Sequence, residues 1–360
     1  MLKKYFLSLL KLSGVFLFSL FLFFGNTACK NNKVKAKDTT DSVLYSKMPP
    51  EIKLISEKIA KDNNNASLYH ERAKLYIKLN DIESARIDMQ KVISIDTTKA
   101  EYFYTLADLY FMSGKAGNSK AALEKCLSID AKNTDAILKL AEISYFMKDY
   151  KKVLELTNKV LEIDKTNATA YFIKGRSAKE ESDTIAAIKL FQKATGLNTK
   201  YYDAYIQLGI IFAAKKNPIA LDYYNNALNL MPNSSEAIYN MGMYFQETAQ
   251  YNKAIEAYTS IIQVKPTGKF KIYLELANYN LGYVHYQYLS SYEQASKHFN
   301  AAILANPEYV EAIYMRGLCL EKLGDVDGAR RDYKKALELK PEYDKPLKGL
   351  NRLDASIRKK

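Results

Sequence analysis

The sequence predicts an all-α protein in which helical hairpins stack in a row, and a periodic pattern leads to this prediction. A phrase of small and large apolar residues that ends in Pro, such as "GDVDGARRDYKKALELKP" (324–341), recurs along the chain. Its first small residue returns after 34, 34, 34, 33, 34, 41 and 34 residues, as Ala85, Ser119, Val153, Ala187, Ala220, Ala254, Ala295 and Ala329. A second helical segment precedes each phrase. Paired amphipathic helices repeated at this period indicate hairpins that bury their apolar faces against each other.

Two further columns of residues support close packing within each hairpin. The preceding helix carries a small residue at Ala73, Ala107, Ala141, Gly175, Gly209, Gly242, Gly282 and Gly317. The phrase itself carries Met89, Leu123, Thr157, Phe191, Tyr224, Tyr258, Phe299 and Tyr333. Gly inside a helix costs about 1 kcal/mol relative to Ala, so a column of Gly predicts that two helices approach closely there.

This period and pattern resemble the tetratricopeptide repeat family over residues 66–343, as eight units. The last unit, "AIYMRGLCLEKLGDVDGARRDYKKALELKP", matches best. The resemblance implies a right-handed α-solenoid whose ends need capping helices, which we predict within 49–65 and, followed by a basic tail, within 344–360. Unit seven has six extra residues near 267–275, which we expect to lengthen its first helix. Gly114, in "GKAGNSK", is predicted to form a hairpin turn.

The amino terminus predicts export from the cytoplasm. Residues 1–28 combine a basic start, an apolar run over 12–24 and small residues before Cys29, which is typical of a secretory signal. The residues "NTAC" (26–29) resemble the lipobox of bacterial lipoproteins, and this resemblance implies that Cys29 is lipidated. An uncleaved membrane span and ordinary cleavage stay open as alternatives, since 2–24 is long enough to cross a bilayer.

The segment after this cysteine predicts a tether to a membrane. Residues 29–48 are rich in Lys, Asn, Thr and Asp and lack apolar periodicity, so we expect a flexible link. The favoured location is the outer membrane, facing the periplasm. The cell surface and a single transmembrane anchor are the alternatives.

The positive charge of the chain does not predict nucleic-acid binding. The formal net charge is +13, of which +3, +3 and +4 fall in residues 1–28, 29–47 and 344–360. Charge that is spread over the ends does not form the concentrated basic stripe that phosphate recognition needs. Nucleic acid is therefore not an expected partner.

The sequence contains no constellation that predicts catalysis, a cofactor or a metal site. The three histidines have no metal-ligand spacing and no neighbouring Cys pair. Cys126 and Cys319 lie in helical columns more than five units apart, so we expect two buried small side chains rather than a disulfide. We predict that the protein is not an enzyme.

Recognition of a protein partner is the expected function. In the resembled family the first helices line a concave groove, and carrying these positions over gives Tyr104, Phe111, Tyr145, Phe146, Phe172, Tyr239, Asn240, Met243, Tyr279, Asn280, Tyr283, Tyr286, Tyr314 and Met315. Asn240 and Asn280 each follow a Tyr and resemble an asparagine ladder that holds peptide main chain. The alternative that some of these side chains pack between units stays open.

The resulting hypothesis is a non-catalytic scaffold of the bacterial cell envelope, tethered by lipid and bound to a peptide or helix of a partner. The resemblance extends to lipoproteins of this repeat class that serve secretion, assembly or other envelope complexes. Two alternatives are a surface protein that handles glycans or nutrients, since aromatic grooves can stack sugars, and a regulatory subunit of an envelope enzyme. Chaperone-binding members of the resembled family hold a terminal carboxylate with a clamp of Lys and Asn. This clamp is not matched, because unit one has His70 and Lys74 at those positions.

Overall fold

The computed structural model describes residues 48–264 and 266–357, and these residues form only helices and their connections. The chain divides into two compact bodies, an N-terminal body that ends at Lys165 and a C-terminal body that starts at Thr166. The predicted leader, Cys29 and nearly all of the tether lie outside the described residues. Among the described helices, none is both long and apolar enough to cross a membrane.

The N-terminal body consists of a leading helix and three hairpins. Its helices are α1 (Pro50–Lys61), α2 (Ala66–Lys78), α3 (Ile82–Ile95), α4 (Ala100–Met112), α5 (Ala116–Ile129), α6 (Thr134–Phe146) and α7 (Tyr150–Ile163). The pairs α2–α3, α4–α5 and α6–α7 form repeats 1, 2 and 3, and α1 packs on α2.

The C-terminal body consists of five hairpins and a last helix. Its α-helices are α8 (Ala168–Glu180), α9 (Thr184–Leu197), α10 (Tyr202–Ala214), α11 (Ile219–Leu230), α12 (Ser235–Glu247), α13 (Tyr251–Val264), α14 (Ile272–Gln287), α15 (Tyr292–Ala305), α16 (Val310–Leu323), α17 (Val326–Leu339) and α18 (Asp344–Ile357). Consecutive pairs from α8–α9 to α16–α17 form repeats 4 to 8, and α18 packs on α17 and α16. The predicted all-α fold of helical hairpins is confirmed.

Each hairpin turns through one residue with left-handed backbone conformation. These residues are Asn80, Gly114, Lys148, Ser182, Lys216, Ala249, Ser290 and Gly324, with φ between 50° and 84°. In most repeats the second helix begins two residues after this turn residue. In four repeats the residue between them is an Asp that caps the helix, because its side chain accepts a hydrogen bond from a backbone N–H of the first turn. These residues are Asp81, Asp149, Asp183 and Asp325. The predicted turn at Gly114 is confirmed.

The core of each C-terminal hairpin is a glycine facing an aromatic ring. A Cβ added to Gly175, Gly209, Gly242, Gly282 or Gly317 would lie 2.3–2.8 Å from a ring carbon of the second helix. Repeats 1 to 3 have Ala in the glycine column and Met, Leu or Thr in the aromatic column. The two columns therefore compensate each other in volume, because a close-packed interior cannot hold both a methyl group and a ring at the same place.

The insertion in repeat 7 lengthens the first helix, as predicted. A 3₁₀ turn over Gly268–Lys271 leads directly into α14, which has 16 residues, whereas the first helices α2 to α12 have 13. The added turn places Tyr273 next to Tyr239, with ring centroids 5.6 Å apart. The insertion therefore contributes packing to the preceding repeat.

Both described cysteines are free and buried, which confirms that prediction. Burial raises the pKa of the Cys319 thiol to about 12 and also raises the pKa of Cys126. These thiols stay protonated at neutral pH and act as small apolar side chains.

Candidate binding surface on the first helices

The first helices lie side by side within each body, and this layer holds the predicted binding residues. In the C-terminal body α10 packs on α12, α12 on α14, and α14 on α16. In the N-terminal body Lys139 of α6 forms an ion pair with Asp108 of α4, 3.0 Å apart. We call the side of this layer that faces away from the second helices the first-helix surface.

Nine of the fourteen predicted binding residues are half-buried or exposed. They are Tyr104, Phe111, Tyr145, Phe146, Asn240, Tyr279, Tyr283, Tyr286 and Tyr314. Phe146 has the greatest exposure, 43%, and Met112 near it is 50% exposed. These side chains retain surface that a partner could cover.

The other five predicted residues are buried in the core, and this corrects their assignment to the open surface. They are Phe172, Tyr239, Met243, Asn280 and Met315, each with at most 9% of its surface exposed. Phe172 packs on Phe191 and Tyr201, and Tyr239 packs on Tyr258 and Tyr273. The physical reason is that side chains from the second helix and from the connection to the next repeat cover the first helix at these points.

Asn280 has a specific role in this core that the sequence did not reveal. Its Nδ2 atom donates to the hydroxyl oxygens of Tyr239 and Tyr258, at 2.9 and 3.4 Å, and lies 3.2 Å from the Met243 sulfur. The Tyr258 hydroxyl in turn donates to Gln246 Oε1 at 3.2 Å. Burial raises the pKa of both tyrosines, so both hydroxyls are neutral. Asn280 therefore links two helical hairpins from within instead of holding an external peptide.

Replacing Asn280 by Ala should lower the free energy of unfolding by about 2 kcal/mol, because two buried hydroxyls would lose their donor. Asn240→Ala is the matched control, since Asn240 also follows a Tyr but is half-buried. We expect its effect on stability to be below about 0.5 kcal/mol. Urea unfolding followed by circular dichroism measures both, and equal effects of the two variants would contradict the assigned role of Asn280.

A recurring aromatic pair fixes the connections between repeats. An aromatic side chain of the first helix contacts a Tyr that directly precedes the helix following the hairpin, which is α10, α16 or α18: Phe172 with Tyr201 at 4.8 Å, Tyr279 with Tyr309 at 5.0 Å, and Tyr314 with Tyr343 at 5.4 Å between centroids. Tyr279 also packs on Phe299 of α15. Part of the area of Tyr279 and Tyr314 is thus used for packing.

Tyr283 and Tyr286 differ from Tyr279 and Tyr314 in that neither ring packs on a Tyr of a connection between repeats. Their ring contacts are with Tyr288 and Tyr292, which belong to the hairpin turn and the start of α15. Tyr288 is 37% exposed. Tyr283, Tyr286 and Leu318 of α16 are half-buried and pack against the core of α15 and α16. The area that they leave uncovered makes the first-helix surface of repeats 7 and 8 largely aromatic.

In the N-terminal body the surface is aromatic near the hairpin turns. Phe111 and Phe146 lie 6.1 Å apart between centroids, Tyr145 packs edge-on to Phe146, and the Lys139 ammonium lies 5.2 Å from the Phe111 centroid. Burial lowers the pKa of Lys139, but the negative charges of Asp108 and Glu142 raise it by more. The pKa of this ammonium is therefore raised overall. The lysine is thus held charged beside the ring.

His70, at the position of the absent carboxylate clamp, is a core residue. It is 3% exposed and its Nε2 lies 2.9 Å from Thr105 Oγ1. Because the Thr105 hydroxyl donates to the Glu101 carbonyl, it accepts a hydrogen bond from Nε2–H of the histidine. Burial lowers the pKa of His70 to about 4, so the ring is neutral at pH 7 and offers no charge to a carboxylate.

Comparison with known proteins identifies the repeats. Models described as tetratricopeptide repeat match residues 66–99, 100–133, 235–267 and 279–344. The chain contains tetratricopeptide repeats in these segments. The matched segments correspond to repeats 1, 2 and 6 and to the region of repeats 7 and 8, and repeats 3 to 5 continue the same helical pattern.

Several known proteins are similar to this chain. The TPR repeat-containing protein MJ1428 of Methanocaldococcus jannaschii is 26% identical over 231 residues, covering 53% of this chain and 40% of that protein. BBSome complex member BBS4 of Bos taurus is 30% identical over 151 residues, covering 41% of this chain and 27% of that protein. The chain thus spans less than half the length of these relatives. The crystal structure of the APC/C hetero-tetramer Cut9–Hcn1 matches with a TM-score of 0.53 and 15% identity over 81% of this chain and 56% of that chain, which supports the fold.

Proposed function

We propose that this tetratricopeptide repeat protein is a non-catalytic scaffold that holds a segment of a protein partner on its first-helix surface. Repeats of this family serve as protein-interaction scaffolds. The observation that carries the proposal is the aromatic surface of repeats 7 and 8, where Tyr283, Tyr286 and Leu318 remain half-buried rather than buried after the hairpins have packed. Tyrosine-rich surfaces are typical of protein interfaces, because the ring supplies contact area and the hydroxyl supplies a hydrogen bond.

The partner test replaces two half-buried side chains at the edge of the core that α15 and α16 form. Tyr283→Ala with Tyr286→Ala should reduce partner capture at least tenfold, while the circular dichroism spectrum stays unchanged. Capture is measured by crosslinking in membranes of the native organism, followed by mass spectrometry. Tyr223→Ala is the matched control, because Tyr223 is equally half-buried but lies on the second helix α11. Unchanged capture by the double variant would refute this assignment of the surface.

We further propose that lipid on Cys29 tethers the scaffold to the outer membrane, with the repeats in the periplasm. The basic start, the apolar run and the small residues before Cys29 support this proposal. The predicted tether of residues 29–48 would then connect the lipid to α1.

Cys29→Ser should move the protein from the membrane fraction to the soluble fraction, because a lipoprotein signal without its cysteine gives no lipid anchor. The measurement is fractionation of cells, together with metabolic labelling by a fatty acid. Lys30→Ser is a control that changes the adjacent residue and keeps the cysteine. A Cys29→Ser variant that stays in the membrane would support the alternative of an uncleaved span.

A further inference from the structure

The hairpin turns of repeats 1 to 3 lie along one edge of the N-terminal body, because each first helix ends there and each second helix begins there. The rings of Phe111 and Phe146 lie 6.1 Å apart between centroids, which brings the turns of repeats 2 and 3 together. Tyr76 and Tyr110 pack on one core cluster of repeats 1 and 2. We call this surface the turn edge, and its residues are 78–82, 112–116 and 146–151.

The turn edge exposes large apolar side chains at the end of each first helix. They are Leu79, Met112, Phe146 and Met147, with 55%, 50%, 43% and 67% of their surface exposed. Repeats 4 and 6 have Glu180, Glu181 and Glu247 at the equivalent positions, so the hairpin itself does not need apolar residues there. Single exposed apolar side chains are normal, but a recurring group on one edge marks an interaction surface.

Lysines flank these apolar side chains in the sequence. They are Lys78, Lys115, Lys148 and Lys151, and all four are exposed. None of the four forms an ion pair in the described part of the chain. The Asp81 and Asp149 carboxylates on the same edge cap helices by accepting backbone N–H groups, and nearby Glu83 pairs with Arg86. The turn edge therefore has an excess of positive charge.

A bilayer with anionic lipids matches this combination of side chains. Lys ammonium groups are attracted to the negative surface of such a bilayer. Leu, Met and Phe side chains can enter the boundary between headgroups and acyl chains. Protein interfaces, in contrast, are depleted in Lys relative to the remaining surface and are enriched in anchors that fill pockets. The lysines and the separate apolar tips therefore favour lipid over a protein partner at this edge.

We propose that the turn edge docks on the surface of an anionic lipid bilayer. The side chains of Met112 and Met147 enter the headgroup region, and the ammonium groups of Lys115 and Lys148 lie at the lipid phosphates. Docking of this kind needs no membrane-spanning helix and no lipid on Cys29. The turn edge is thus a second functional surface, besides the aromatic surface of repeats 7 and 8 that is assigned to the partner protein.

A fluorescent label at position 147 tests this contact in the full chain. Met147→Cys is made together with Cys29→Ser and labelled with nitrobenzoxadiazole, whose fluorescence lifetime is longer in lipid than in water. The thiols of Cys126 and Cys319 are buried and protonated, so they stay unlabelled under native conditions. We expect a long lifetime on vesicles of phosphatidylcholine with about one third phosphatidylglycerol, and a mostly short lifetime on pure phosphatidylcholine.

Ile163→Cys is the matched control, because Ile163 is 41% exposed at the end of α7, on the opposite edge of the same hairpin. Its label should keep the short lifetime on both kinds of vesicle. The apolar run over 12–24 is present in every variant, so a difference between the two labels reports on the edge and not on the leader. A short lifetime at position 147 on anionic vesicles, or equal lifetimes at both positions, would overturn the proposal.

Lys115→Gln with Lys148→Gln should reduce the ratio of docked to undocked label at position 147 about tenfold, because two ammonium groups are removed from the negative surface. Lys132→Gln with Lys159→Gln changes the net charge equally but lies outside the turn edge, and it should leave this ratio unchanged. An equal effect of both double variants would show general attraction between a basic chain and the vesicle, and would overturn the assignment of the edge.

Leu79→Ser with Met112→Ser tests the apolar contribution and should also reduce this ratio about tenfold. Ile129→Ser with Ile163→Ser is the matched control, since these side chains are 37% and 41% exposed at the opposite edge. Circular dichroism should stay unchanged in both double variants, because all four side chains are exposed. An unchanged ratio in the Leu79 and Met112 variant would overturn the docking geometry.

Capture of the partner protein separates this inference from the proposed function. If position 147 shows no lipid contact while capture depends on Tyr283 and Tyr286, the scaffold function stands and the membrane docking is wrong. If the label shows lipid contact and capture does not depend on the two tyrosines, the docking stands and the partner surface is wrong. A photocrosslinker at position 147 that captures a protein instead of lipid in native membranes would also overturn the docking.

Discussion

Gly209→Ala is expected to lower the free energy of unfolding of the C-terminal body by about 2 kcal/mol, because the added methyl group has no space. The new Cβ would lie 2.3 Å from Tyr224 Cε1 and 2.6 Å from Cδ1. Tyr224 is only 1% exposed, so its ring is held on all sides. Overpacking typically costs about 1–3 kcal/mol, and the better helix propensity of Ala returns at most about 1 kcal/mol of this.

The control for this experiment is a helical glycine without a facing ring. A Cβ on Gly196 would meet nothing within 4 Å, so Gly196→Ala should leave stability unchanged or raise it by up to about 1 kcal/mol. Adding Tyr224→Leu to Gly209→Ala should make the Ala cost less than it does beside Tyr, since repeat 2 already combines Ala107 with Leu123. Urea unfolding of the original protein, Gly209→Ala, Tyr224→Leu and the double variant gives the coupling energy between the two positions. A coupling energy near zero would contradict the direct contact.

Asp88→Leu is expected to lower the free energy of unfolding of the N-terminal body by about 3–5 kcal/mol, because it leaves a largely buried guanidinium without its counterion. Arg72 Nε and Nη2 each donate to an Asp88 oxygen at 2.7 Å, and Nη1 donates to Ser56 Oγ of α1 at 2.9 Å. The side chains of Arg72 and Asp88 are 19% and 4% exposed. The Asp88 carboxylate also raises the pKa of the guanidinium, so the charge remains at every accessible pH.

Replacing both partners should recover most of this loss. Repeat 3 has Leu140 and Leu156 at the equivalent positions, with 7% and 5% of their surface exposed. Arg72→Leu with Asp88→Leu is therefore expected to unfold within about 1–2 kcal/mol of the original protein, since two apolar side chains leave no charge unpaired. Lys152→Ala, which removes an exposed ion pair with Glu155, should change stability by less than about 1 kcal/mol. A small effect of Asp88→Leu, comparable to this control, would show that the pair is not essential.

The position of the two buried ion pairs was not predicted, although both residues of each pair are visible in the sequence. Arg316 and Asp332 in repeat 8 repeat the geometry of repeat 1, with both bonds at 2.7–2.8 Å. Each pair joins the two helices of a hairpin across 16 residues, and the equivalent positions in most other repeats are apolar or uncharged. Sequence periodicity identifies the column but does not reveal that two columns face each other, because that depends on how the helices cross.

Much of the fold was predicted from the sequence, because the repeat imposes the same local physics eight times. The period predicted the order of the helices, the glycine column predicted their closest approach, and the hairpin turn at Gly114 followed from its place between two helices. The burial of Cys126 and Cys319 followed from the columns that they occupy. Each of these features depends on short-range pattern and on packing within one hairpin or between neighbouring repeats.

The candidate surface depended on information that the sequence alone does not contain. Tyr239 and Met243 of α12 occupy positions equivalent or adjacent to those of surface aromatics, yet they are buried because α14 and the second helix α13 pack over them. Asn280 of α14 is buried because it faces Tyr239, Met243 and Tyr258 of the preceding repeat. The sequence by itself determined the helices, the hairpins and the membership of the repeat family, because these follow from periodicity. Only the tertiary structure decided which tyrosines remain on the surface, because exposure is what packing of all neighbouring helices leaves uncovered.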